Sequence, residues 1–202
     1  MKLSELQLDA LTEVFNLGAG QAAASLSEIV GDEVKLSVPR IQFYDRADVN
    51  ADTLALGGER VGAVRQRFSG PFSLDASLLF KEERALEIVQ EMIGSQVSVD
   101  ELVDFEQEAM CELGNIILNG CMSSIADVLQ IELTSTLPDY TVDSADVVVV
   151  GLLSDMSQPV VLVLHIDLTI EKRDTHGYLV FLLSSTSLAE LVVALDGFLG
   201  RI

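Results

Sequence analysis

Asp9-Ala-Leu-Thr-Glu13-Val-Phe-Asn16 runs on through Leu-Gly18-Ala-Gly20 and is followed by a proline at Pro39. The pattern returns as Glu108-Ala-Met-Cys-Glu112-Leu-Gly-Asn115, which continues to Asn119-Gly120 and meets Pro138. Positions 9, 13, 16, 20 and 39 each find their counterpart 99 residues later, at 108, 112, 115, 119 and 138. One register shared by five positions implies an internal duplication.

On a helix at about 100° per residue, positions 9, 13, 16 and 20 fall within roughly 40° of one line. Leu11, Val14, Gly18, Ala22, Ser25, Leu26 and Ile29 take the opposite, core-facing side. In the second run Glu108, Glu112, Asn115 and Asn119 form the polar line, opposed by Met110, Leu113, Ile117, Cys121, Ser124 and Val128. Each helix therefore carries a carboxylate and a carboxamide one turn apart, close enough to grip one target. A lone Glu-x-x-Asn would be read as solvated helix surface. Asn, however, is a mediocre helix former, and keeping it mid-helix twice at one distance from Glu and from a proline gives the amide a use.

The chain has 202 residues, 49% hydrophobic and 22% charged, which is enough for a real core. Twelve basic against 32 acidic residues give a net charge of −20, so nucleic acid and anionic membrane surfaces are not expected partners. The first residues lack the pattern of a signal peptide, the apolar runs are strand-length, and Cys111 and Cys121 read as reduced core thiols. A cytoplasmic protein is expected.

In order, the sequence predicts a long helix over Ser4–Val30 stopped by Gly31-Asp32, then a strand over Val34–Tyr44 interrupted by Pro39. A short strand is expected at Thr53–Leu56, a hairpin of Arg60–Ser69 with Phe72–Phe80 across Gly70-Pro71, and a short helix Glu82–Ile93. Ser95–Asp104 reads as a polar joint. A second long helix at Val103–Gln130 and a strand at Ile131–Val142 broken by Pro138 follow. Ala145–Leu153, nearly all β-branched, reads as a buried strand. Gln158–Thr169 and Gly177–Ser184 form a hairpin whose turn holds His176, and Ser187–Leu199 is the last short helix. The fold class expected is α+β: a pseudo-twofold duplicated domain, mainly antiparallel sheet packed with two long and two short helices. The whole of 1–202 is expected to be one domain of two repeats, about 4–94 and 103–202, sharing a core.

No nucleophile motif, phosphate loop or metal-spaced His/Cys set occurs, and His165 and His176 sit in a strand and a turn. If the protein catalyses anything, the metal and the reactive phosphate arrive with the substrate.

The doubled signature Asp9-x3-Glu13-x2-Asn16-x22-Pro39 and Glu108-x3-Glu112-x2-Asn115-x22-Pro138 resembles that of the CheC-like family, which includes CheC, CheX and FliY. These are phosphatases of the phosphorylated chemotaxis response regulator CheY. The resemblance covers the whole chain. It implies hydrolysis of a regulator phospho-aspartate, with Asn16 and Asn115 aligning the attacking water and Glu13 and Glu112 pairing with a regulator lysine. Asp9, Gly20, Glu108 and Asn119 would contact the partner. No cofactor of its own is implied, since Mg²⁺ comes with the regulator. Glu108 departs from the Asp or Ser usual at its position, which bears on docking at the second copy. The alternative is a non-catalytic module that binds a phosphorylated regulator, or the deamidase CheD that some relatives bind.

Overall fold

Ser4 opens the first helix, α1 (Glu5–Val30), with a capping box: its hydroxyl accepts from the Gln7 N–H and the Gln7 side chain accepts from its own N–H. Gly31, at φ 71°, closes the helix in the left-handed conformation that glycine adopts without strain. The computed structural model describes residues 3–93, 99–154, 160–170 and 173–201. The remaining elements are β1 (Val34–Asp45), β2 (Arg60–Ser69), β3 (Ser73–Lys81), α2 (Glu82–Ile93), α3 (Val99–Leu129) and β4 (Thr134–Ser135). They continue with β5 (Asp139–Ser144), α4 (Ala145–Ser154), β6 (Val160–Ile170), β7 (Arg173–Leu183) and α5 (Ser185–Leu199).

The antiparallel sheet runs β1-β6-β7-β3-β2, with β4 and β5 together lining the far edge of β2. The first strand of each half thus pairs with the second strand of the other: β1 with β6, and β5 with β2. At the centre Leu78 faces Leu179 and Leu79 faces Tyr178, steps that interchange under a twofold matching each residue to the one 100 positions later. The sheet order is consequently palindromic, and the fold is the expected duplicated α+β class.

Side chains alternate along the strands, so both sheet faces are buried. Val64, Phe68, Leu78, Leu164 and Phe181 face α1 and α3. Val61, Ala63, Val163 and Leu182 face the segment through Val49, Leu54 and Leu56, together with α4. The two long helices lie antiparallel. Gly18 meets Gly120 and Cys121 so closely that a Cβ at 18 would lie 2.6 Å from Cys121 Cα, while the starts and ends are tied through α5 by Gln7 to Asp196 and Arg201 to Val128.

Several sequence expectations are corrected. Ala145–Leu153 is the helix α4, a fifth helix, with Ala145, Val148, Val149, Leu152 and Leu153 buried at i, i+3, i+4, i+7 and i+8 spacing. The stretch at Thr53–Leu56 is a turn whose apolar side chains serve the second core. Ser25 and Ile29 are exposed rather than core-facing. Of the expected joint, Val99–Asp104 belongs to α3 and residues 94–98 lie outside those described; His176 falls in β7.

Candidate functional site

The first polar line lies on α1. Asp9, Glu13 and Gly20 are exposed and Asn16 is half-buried. Among the described residues Glu13 has neither a hydrogen-bond nor an ion-pair partner. Asn16, by contrast, is occupied. Its Oδ1 accepts from the Val38 N–H at 2.9 Å, and its Nδ2 donates to the Thr12 carbonyl at 3.0 Å and the Val38 carbonyl at 3.4 Å. The cause is the proline. The β1–β6 register breaks between Ser37 and Arg40, so Val38 has no ladder partner there and the carboxamide supplies one. Val38 itself is 1% exposed.

The second line lies on α3. Glu108 and Glu112 are exposed, Asn115 and Asn119 half-buried, and Glu112 is likewise unpartnered among the described residues. Here the amide is held differently. Asn115 Oδ1 accepts from Asn119 Nδ2 at 2.7 Å and from Gln66 Nε2 at 3.4 Å. Asn115 Nδ2 has no acceptor among the described residues. Gln66, only 3% exposed, also donates to the Thr136 carbonyl at 2.8 Å. Leu137, which stands 22 residues after Asn115 as Val38 stands after Asn16, is 90% exposed.

Glu108, Glu112 and Asn115 line an open cavity of about 710 Å³ whose apolar wall includes Phe105, Leu137 and Pro138. Cys111 also lines it, its thiol pushed up first by burial and then by Asp139. The two copies therefore share letters but differ in the atoms they present. Two residues escaped the sequence reading: Val38, which nothing marked, and Gln66, whose signal was a polar side chain on the face of β2 shared with Val64 and Phe68.

An acid and an amide on each of two antiparallel long helices, backed by a shared antiparallel sheet, define a duplicated α+β protein. The profile of the CheC-like family matches residues 6–42. The chain is 24% identical over 168 residues to the CheY-P phosphatase CheC of Bacillus subtilis (strain 168), spanning 77% of this chain and 76% of that one. In fold it is similar to FliY of Thermotoga maritima, with TM-score 0.80 at 19% identity over 98% of this chain and all of the other. It is also similar to a chain of the CheX–CheY–BeF3–Mg²⁺ complex of Borrelia burgdorferi, with TM-score 0.53 at 12% identity over 85% of this chain and 97% of that one. The CheC-like profile covers α1 and most of β1, and the similarity to CheC extends over about three quarters of the chain.

Proposed function

We propose that the protein accelerates hydrolysis of the phospho-aspartate of a CheY-like response regulator, and that the α3 site does most of the work. The observation that carries this reading is Asn115: its oxygen is held by Asn119 while its Nδ2 is unclaimed, on a cavity wall shared with Glu112. Phosphoryl transfer to water needs positioning and charge stabilisation more than covalent help. In the α3 site Asn115 Nδ2 donates to the attacking water and aligns it with phosphorus, while the Glu112 carboxylate pairs with a lysine of the regulator. Mg²⁺ arrives as part of the regulator. The bare acids of Glu13 and Asp9 let α1 dock a regulator too, but Asn16 must first release Val38 before its amide can act.

The test is phosphate release from a receiver domain charged with a small phosphodonor. Asn115→Ala should lose most of the acceleration, Asn16→Ala should retain most of it, and the double variant should approach the receiver's own rate. A double variant that releases phosphate as fast as the parent overturns the assignment. Loss of receiver binding with unchanged phosphate lifetime would instead establish a non-catalytic binding module.

A further inference from the structure

We propose that Asn119 and Gln66 are positioning residues of the α3 site, fixing which end of the Asn115 amide is offered to the reacting groups. The proposal rests on the phosphatase reading of that site. A carboxamide turned by 180° keeps its shape but exchanges donor for acceptor, so an active amide must be held in one orientation. Asn119 Nδ2 can only donate, and it meets Asn115 Oδ1 at 2.7 Å while also donating to the Asn115 backbone carbonyl at 2.8 Å. That leaves Nδ2 as the free end. Gln66 reinforces the choice: its Nε2 donates to the same Oδ1, and its own Oε1 accepts from Asn119 Nδ2 at 3.5 Å.

A buried glutamine on an otherwise apolar strand face needs such a reason. At the matching place in the other half stands Ile166, 1% exposed and wholly apolar, and the match of Asn119 is Gly20. The holding pair thus exists at one site only. It is also contributed by both halves, since β2 reaches α3 from the first half. Without Asn119 only the longer Gln66 contact holds Asn115 Oδ1, so the amide spends part of its time with Oδ1 outward, where it repels phosphoryl oxygens.

Asn119→Ala leaves the Gln66–Thr136 bond in place and favours the helix, so it separates orientation from folding. Turnover should fall about tenfold, with unchanged affinity for a receiver charged with beryllofluoride and an unlowered melting midpoint. Asn119→Asp, which replaces the donor by an acceptor, should fall further. Turnover within twofold of the parent in Asn119→Ala, or a loss carried by affinity alone, overturns the proposal. A second readout does not need activity: the Asn115 side-chain amide resonance, identified by its disappearance in Asn115→Ala, should shift in Asn119→Ala. If the parent does not accelerate release at all, the phosphatase reading fails. The resonance then decides the orientation claim, and an unmoved signal sinks it.

Discussion

Asn16→Ala is the substitution any assay of this protein would use first, and the structure predicts that it acts on folding as well as on chemistry. Removing the side chain leaves the N–H of Val38, in a residue 1% exposed, without its 2.9 Å acceptor, and its carbonyl without the 3.4 Å donor. A buried donor left unsatisfied costs about 1–3 kcal/mol. Alanine returns about 0.5–0.7 kcal/mol through helix propensity. The net loss is about 0.3–2.5 kcal/mol, which for a chain of this length lowers the melting midpoint by about 1–10 °C.

Asn115→Ala is the control. There Asn119 keeps the backbone carbonyl of residue 115 at 2.8 Å and Gln66 keeps that of Thr136 at 2.8 Å, so no buried donor is stranded. Helix propensity offsets most of what is lost, and the midpoint should stay within about 2 °C. Thermal and urea denaturation followed by circular dichroism measure both. If Asn16→Ala melts with the parent, or both variants fall equally, the account of Asn16 as the ladder partner of Val38 is wrong. If it holds, release assays on Asn16→Ala belong well below its melting range.

Gly18→Ala forces a Cβ to 2.6 Å from both Cys121 Cα and the Gly120 carbonyl oxygen, which are backbone atoms that cannot step aside; a loss of about 1–3 kcal/mol should appear as a lower urea midpoint. Gly20→Ala meets no atom within 4 Å and should gain up to about 1 kcal/mol, while weaker receiver binding by the same variant would show that a partner's backbone docks there. The Cys121 thiol, fully buried and pushed up to about 12, should resist Ellman's reagent at pH 8 until urea unfolds the chain, whereas half-buried Cys111 should react slowly in the native protein. Halves separated between α2 and α3 should fail to fold singly and should regain a cooperative transition when mixed, because each lends a strand to the other; circular dichroism of the separate and mixed halves checks this.

Periodicity made the long helices readable from sequence, and local chemistry made their ends readable: Ser4 with Gln7 at one end of α1, Gly31 at the other. Pro39 and Pro138 correctly marked interrupted strands, since β1 slips register at Pro39 and Pro138 separates β4 from β5. The α4 run misled because valine at almost every position hides a helical period under uniform hydrophobicity, and its exposed Val147 and Val150 carry no polar mark. The exchange of strands between halves leaves no local signature at all, because the order of elements along the chain is the same whether β1 pairs with β2 or with β6. A helical wheel likewise placed Asn16 and Asn115 on one side of their helices but could not say which backbone waits there.

That last gap explains why one motif yields two unlike sites. Each amide faces the segment 22 residues downstream, and in both halves a proline has emptied the ladder beside it. What differs is the neighbouring strand. Beside α1 the strand β6 brings the apolar Ile166, so Val38 packs inward and Asn16 is the polar group left to satisfy its backbone. Beside α3 the strand β2 brings Gln66, which takes the Thr136 carbonyl itself. The segment then takes nothing from Asn115, Leu137 stands in solvent, and the amide is held by Asn119 with its Nδ2 unclaimed. Since β2 comes from the first half and α3 from the second, the more open site is assembled only when the two halves fold around each other. The residue that distinguishes the sites lies outside the motif and 49 positions before the amide it serves.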